Sequence, residues 1–370
     1  MSRSHPDSSK SSRAPRAKRG IQPLDPLVFQ RALLEHFDRH GRELPWRQNA
    51  DPYRVWVSEV MLQQTRVETV RAFYLRWMQQ FPDLDTLADA PLDAVLKAWE
   101  GMGYYARARN LHRGALIVRE QYHGVLPRSY HELQALPGIG EYTAGAIASI
   151  AYGAATPAVD GNVKRVLCRL LDTDQLSATQ LREHATRLIS PDRAGDFNQA
   201  FMELGATICT PRTPHCEKCP VTPFCLAFRR GTQHARPARK RASPLPDRHF
   251  VLLVILDPQG NTLLHRRPQD GLLGGLWEFP TFQARRPAMF LRRLLRNSTA
   301  RSKKLATLIH PFSHFRAHYA VHLCRVHKLP PTHSDFATKP WKDLAGLAMS
   351  AAQRRVYSQV LLSPESGRTA

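Results

Sequence analysis

Four cysteines at Cys209, Cys216, Cys219 and Cys225, spaced C-x6-C-x2-C-x5-C, constrain this chain more than any other feature. Two thiolates separated by two residues on a tight turn can reach one ion or one cluster. Pro211, Pro214, Pro220 and Pro223 stiffen the loop so that four sulfurs can converge. Zinc and an iron–sulfur cluster both suit such a donor set. Two disulfides are the competing reading. They are disfavoured because 370 residues carry only 6 cysteines, too few for a disulfide scaffold, so a reducing compartment with a metal site accounts better for the cluster.

The residues ahead of this loop have helical periodicity. Leu27, Leu33, Leu34 and Phe37 are expected to mark one buried face, and Val60, Val67, Val70, Tyr74 and Trp77 another. Asp89 reads as the cap of a short helix opened by Pro91 and Leu92 and ending near Gly101. Further helices are expected from Arg107 to Tyr122, after Glu141, from Asn162 to Leu171 and from Asp196 to Ile208. Nothing between Pro26 and Cys225 reads as a strand. An all-α domain over residues 25–228, with the cysteine loop 209–225 at its end, follows.

Residues 1–24 are rich in Ser, Arg, Lys and Pro, lack hydrophobic period, and are expected to be a disordered basic tail. Residues 229–248, with seven of the chain's basic side chains from Arg229 to Arg248 and three prolines, read as a linker. Beyond it the pattern is mixed α+β over 249–362. HFVLLVIL (His249 to Leu256) is a buried strand, Asp257 to Gly260 a turn, and Asn261 to Arg266 a returning strand. Phe290 to Leu295 reads as a helix, Tyr319 to Val326 as a strand, and Ala351 to Leu362 as a helix.

Charge supplies the partner class. Lys plus Arg total 53 against 31 Asp plus Glu, a formal charge of +22, and so large a surplus points to a polyanion such as DNA or RNA. No run approaches the ~20 apolar residues of a membrane helix, and no secretory leader is visible. A soluble, cytoplasmic protein with no membrane partner is expected.

Two carboxylates stand out. Asp160, in Ala158-Val159-Asp160-Gly161-Asn162, can be a plain turn and helix cap, or a desolvated anion oriented by Asn162. Glu59, in SEVMLQQT, can be a solvated helical glutamate, yet Val57, Val60, Met61 and Leu62 around it suggest a pocket. Such a pair suits cleavage of a glycosidic bond: one group donates a proton and the other steadies a sugar cation. Leu136-Pro137-Gly138-Ile139-Gly140 ahead of Tyr142 would leave backbone N–H groups free to hold a phosphate.

LPGIGEYTAGAIASIAYG, AVDGNVKRVL and the four-cysteine loop together resemble the helix-hairpin-helix DNA glycosylase superfamily with a [4Fe–4S] loop. LPWR (Leu44 to Arg47), SEVMLQQT (Ser58 to Thr65), GMGYYARARNL (Gly101 to Leu111) and HPFSHFRAHY (His310 to Tyr319) narrow the resemblance to adenine DNA glycosylases of the MutY type, over roughly residues 25–360. The resemblance implies removal of adenine mispaired with 8-oxoguanine or guanine in double-stranded DNA, after base flipping, by a monomer carrying a [4Fe–4S] cluster on Cys209, Cys216, Cys219 and Cys225. It makes Glu59 the general acid and Asp160 the cation-stabilising carboxylate. Asn162 orients Asp160 or the water, and Tyr142 bonds near the same centre.

The same resemblance puts Trp46, Arg47, Leu62 and Glu203 around the extruded adenine; read alone, Trp46 is a packed core residue and Glu203 a solvated charge. Gln64, Met102 and Tyr104 would wedge into the duplex, with Met102 standing where the family commonly has Leu. Gly138, Gly140 and Lys164 would contact phosphate. Phe312, Ser313 and His314 would read 8-oxoguanine from a Nudix-like domain whose catalytic acidic helix is missing, since the region after Pro280 carries Arg285, Arg286, Arg292 and Arg293. Endonuclease III-type relatives carry Lys where Tyr142 stands, and a phenol cannot form a Schiff base. A monofunctional enzyme is therefore expected. The alternatives are a bifunctional pyrimidine glycosylase and lyase, and a non-catalytic iron–sulfur DNA-binding protein.

Overall fold

The computed structural model describes residues 24–238, 243–283, 302–330, 332 and 335–361. The basic tail, the 239–242 stretch of the linker, the expected helix at Phe290 to Leu295 and the arginines from Arg285 to Arg293 lie outside the described residues.

Twelve α-helices precede the first strand among the described residues. Helix α1 (Pro26–His40) starts on Asp25, whose carboxylate accepts the N–H of Leu27 at 2.9 Å. α2 (Pro52–Leu62) starts on Asp51 in the same way. α3 (Val67–Gln80), α4 (Leu84–Asp89), α5 (Leu92–Ala98), α6 (Ala106–Tyr122), α7 (Tyr130–Ala135) and α8 (Glu141–Tyr152) follow, then α9 (Gly161–Leu170), α10 (Ala178–Leu188), α11 (Ala194–Thr207) and α12 (Leu226–Arg230).

These helices bury two separate apolar cores. One is built from residues 44 to 148, around Trp56, Trp77 and Trp99. The other joins α1 to α9, α10, α11 and the cysteine loop, with Phe29 packed edge-on against Phe201 and Phe224. The N-terminal helix thus closes the lobe made by the later half of the domain. Any side chain at the seam can face groups from both lobes.

The C-terminal part is a sheet with the order β3-β2-β1-β6-β5, in which β4 also pairs with β1 and β7 with β2. Its strands are β1 (Asp247–Leu256), β2 (Asn261–Arg266), β3 (Trp277–Glu278), β4 (Thr281–Phe282), β5 (Ser302–Pro311), β6 (Arg316–Arg325) and β7 (Phe336–Pro340). β1 and β6 run parallel, with Val254 opposite Leu323. Because strand side chains alternate, Leu252 and Val254 enter the core under the last helix, α13 (Ala351–Leu361), while Val251, Leu253 and Ile255 enter the core on the other face. That is why HFVLLVIL is apolar without alternation. The α+β expectation holds here.

The two parts are docked. Leu276 and Ala348 join the first helical core. Arg354 pairs with Glu100 at 2.8 Å, and Arg109 donates to the Gly274 carbonyl at 2.8 Å.

Several expectations need correction. Leu27 sits in the projecting first turn of α1 and is 71 % exposed, so the buried face is Phe29, Gln30, Leu33 and Leu34. Asp89 closes α4 and pairs with Arg119 instead of capping the next helix, which Pro91 precedes. The start of the expected linker is held to the helical domain: Arg230 and Arg236 both pair with Asp172 at 3.0 Å. Among the described residues no helix is long and apolar enough to cross a membrane.

Candidate active site

A cavity of about 790 Å³ opens at the seam between the two helical lobes. The first lobe contributes Glu59 from α2 and Tyr142 from α8. The second contributes Asp160 and Asn162 at the start of α9, and Met202 and Glu203 from α11. Trp46, Arg47, Leu62, Gln64 and Lys164 also line it. Residues up to 157 positions apart in sequence are therefore brought to one space.

Glu59 is the most buried of its ionisable groups, at 4 % exposure. Desolvation pushes its carboxyl up to about 7, and nearby Asp160 adds to the rise. The Tyr142 hydroxyl, which donates to Glu59, and Arg47 oppose it. The Tyr142 oxygen also lies 3.2 Å from the Met202 sulfur. Burial, and the two neighbouring carboxylates after it, push the Tyr142 phenol well above its usual range, so it stays a proton-bearing hydroxyl.

Asp160 is both cap and pocket carboxylate. One oxygen accepts the Val163 N–H at 2.7 Å and the other accepts from the Asn162 amide at 2.7 Å. Burial raises its pKa, and those two donors work against the rise. Asn162 is held by Arg165, which donates to its Oδ1 at 2.9 Å, to the Gly205 carbonyl at 2.7 Å and to the Cys209 carbonyl at 2.8 Å. Gly205 is required in α11: a Cβ there would stand 2.5 Å from the Asn162 Cβ.

Glu203 is not the solvated charge its residue type suggests. It is buried, and Arg42 and Arg47 pair with it at 2.6 and 3.0 Å. Burial would raise its carboxyl, but the two guanidiniums hold it below the usual range. It is thus an ionised carboxylate fixed between two guanidiniums. Trp46 is at once core and lining, packed edge-on to Tyr74 with centroids 5.5 Å apart. Met202, Arg42 and Arg165 carry no sequence signal that separates them from ordinary core and surface residues, and reasoning from sequence missed all three.

Gln64, at the edge of the cavity, and Tyr104, outside it, are exposed and both adopt left-handed backbone, with φ of 57° and 49°. Met102 does not project with them. It is 6 % exposed and belongs to the first core in this DNA-free structure. The turn from Leu136 to Gly140 joins α7 to α8 as a helical hairpin. Gly138 has φ 78°, and a Cβ on it would meet Asn110 at 2.8 Å. Gly140 caps α8 with no side-chain acceptor, leaving its first N–H groups to an outside anion.

Phe312, Ser313 and His314 form the turn between β5 and β6. Phe312 stacks on Phe315 at 4.8 Å, while Ser313 and His314 are exposed. The four clustered cysteines are all free thiols and line one small cavity with Arg169, which donates to the Cys209 sulfur at 3.2 Å. Burial pushes the thiols of Cys219 and Cys225 up to about 12 and about 11. Among the described residues, no three His, Cys, Asp or Glu side chains converge on a point that one ion could occupy.

Residues 57–191 match the HhH-GPD superfamily base excision DNA repair protein family, and residues 251–359 match the NUDIX domain family. The adenine DNA glycosylase of Mus musculus is 38 % identical over 90 % of this chain and 78 % of its own length. That of Buchnera aphidicola subsp. Baizongia pistaciae is 34 % identical over 80 % of this chain and 85 % of its own. Among solved structures, a thermostable thymine-DNA glycosylase superposes with a TM-score of 0.53 at 30 % identity, covering 55 % of this chain and 97 % of that one. With its hairpin, its seam cavity and its NUDIX region, the chain belongs to the adenine DNA glycosylase family of base excision repair enzymes.

Proposed function

We propose that this enzyme hydrolyses the N-glycosidic bond of adenine mispaired with 8-oxoguanine, leaving an abasic site. The observation that carries the mechanism is Glu59: a buried carboxyl whose pKa is pushed to about 7, on one wall of a cavity whose other wall holds Asp160. The adenine leaves the duplex stack and enters the cavity. Glu59 donates its proton to a ring nitrogen, making the base a neutral leaving group. Asp160, fixed by Val163 and Asn162, faces the sugar cation that develops as the bond breaks. Tyr142 orients the Glu59 carboxyl, and Asn162 orients Asp160 or the water. Trp46, Arg47, Leu62 and Glu203 bound the base.

Tyr142 offers no amine, and Lys164 is assigned to phosphate, so the reaction stops at base release. The pH dependence follows from the sign of the Glu59 shift. The acid form persists below about 7 and is lost above it. Single-turnover excision should stay level in mild acid and fall about tenfold per pH unit above that point. A rate that rises through neutrality would remove Glu59 from the acid role.

The 8-oxoguanine partner is assigned to the β5–β6 turn, where Phe312 anchors the exposed Ser313 and His314. Excision by Ser313→Ala and His314→Ala should be compared on duplexes with 8-oxoguanine or guanine opposite adenine. The preference for 8-oxoguanine should shrink by roughly tenfold, the worth of one good base contact, with the guanine duplex little affected. Equal losses on both duplexes argue against a reading role for this turn.

The cysteine loop fits a [4Fe–4S] cluster. Thiolates buried together need a positive counterpart, and the four cysteines line one small cavity; the resemblance to the glycosylases with an iron–sulfur loop favours the cluster over zinc. Cys209, Cys216, Cys219 and Cys225 would hold it, and it would supply the cohesion of the loop. Cys219→Ala should lose iron, sulfide and absorbance near ~400 nm. A colourless parent protein with stoichiometric zinc would contradict the assignment.

A further inference from the structure

We propose that Arg107 is the positioning residue that sets Gln64 and Tyr104 for entry into the duplex, so that one buried guanidinium couples the two loops that extrude adenine. The inference rests on the reading that these two exposed side chains enter DNA.

Arg107 lies in the first turn of α6 and is 9 % exposed. No carboxylate pairs with it among the described residues, so its charge is met by dipoles. Nη1 donates to the carbonyls of Val60 at 2.9 Å, Met61 at 2.9 Å and Gln63 at 2.6 Å. Those carbonyls end α2, where a helix concentrates negative partial charge. Nη2 donates to the Thr65 hydroxyl at 3.1 Å and to the carbonyls of Met102 at 3.3 Å and Gly103 at 3.1 Å. The acceptors therefore bracket Gln64 on both sides and lead directly into Tyr104. The guanidinium also lies over the rings of Trp99 and Tyr104, at 5.3 and 5.6 Å.

Gln64 and Tyr104 share the left-handed backbone that non-glycine residues rarely adopt. Such conformations persist only where the surroundings over-determine them. Trp99 Nε1 donates to the Gly103 carbonyl at 3.0 Å and Gln63 to the Thr143 hydroxyl at 3.3 Å, each holding one loop, whereas Arg107 is bonded to both. Lysine cannot replace it: its single nitrogen has three donors and no planar fork. The arrangement makes the two loops a single rigid edge, so that whatever tilts one tilts the other.

The test uses the full-length protein and a duplex with fluorescent 2-aminopurine in place of the target adenine, opposite 8-oxoguanine. Its emission rises when the base leaves the stack. Arg107→Lys is compared with Gln64→Ala and Tyr104→Ala, with folding checked by thermal melting. We expect Arg107→Lys to lose most of the emission gain, about fivefold or more, and to excise adenine correspondingly more slowly. The pH at which excision falls should not move, because Glu59 is untouched. Should Arg107→Lys fail to fold, Thr65→Val removes one Nη2 acceptor with Arg107 in place and should lose emission gain in the same sense, by a smaller factor. Normal emission from folded Arg107→Lys, or from Thr65→Val where that variant decides, overturns the proposal if the two loop variants are impaired. If the loop variants also extrude the base normally, the underlying assignment of Gln64 and Tyr104 fails instead.

Discussion

Glu59→Gln should excise adenine about 10²–10⁴-fold more slowly than the parent enzyme, the range removed with a general acid, while folding at least as well. The glutamine keeps the volume of the side chain and an oxygen for the Tyr142 hydroxyl, but has no proton of suitable acidity to give. The stability arm follows from the same burial. The carboxyl is moved from an ordinary 4.5 to about 7 in the folded state. A raised folded pKa stabilises the fold fully at low pH and loses that contribution as pH rises through 7. Well above 7, an ionised Glu59 is a liability of roughly 3 kcal/mol, at 1.36 kcal/mol per unit, which glutamine does not carry. Melting at pH 8 should therefore rise while activity collapses. A variant with near-parental turnover would take the proton-donating role from this residue.

Asp160→Asn is expected to cost about 10²–10³-fold in single-turnover rate, the scale of losing one fixed electrostatic contact to a developing charge. Asparagine still offers an oxygen to the Val163 N–H, so the cap of α9 survives. What disappears is the negative charge, together with the hydrogen bond from the Asn162 amide, whose donor would face the new NH2 group. Asp160→Ala separates the two roles, because it also removes the cap, at a cost of about 1 kcal/mol. If Asp160→Asn cleaves normally and only Asp160→Ala fails, the carboxylate is a structural cap and nothing more.

Much of this site is legible in the sequence. Cysteine spacing, the glycine turn before Tyr142 and the apolar neighbours of Glu59 are local patterns, and the structure has the four thiols around one small cavity, a helical hairpin at the turn and a desolvated Glu59 carboxyl. What escaped were facts of distance and packing. Glu203 looks like a solvated charge because its partners Arg42 and Arg47 lie 161 and 156 positions away. Arg165 tied to Asn162 and Cys209 at once is invisible without the fold. The burial of Met102 is not legible either, because an apolar residue beside an exposed Tyr104 has the same composition whether it points out or in. In the C-terminal sheet, the long β1 and β6 declare themselves. The two-residue β3 and β4 carry no periodicity to read, and the docking of Leu276 and Ala348 into the helical core has no local signature.

The most direct measurement is a single-turnover reaction of the full-length enzyme with a duplex containing one adenine opposite 8-oxoguanine, split into halves with and without alkali. Free adenine should appear in both, and strand breakage only after alkali, since the cavity presents a carboxyl acid and no amine at Tyr142. Absence of adenine release, or robust strand scission without alkali, would contradict the account.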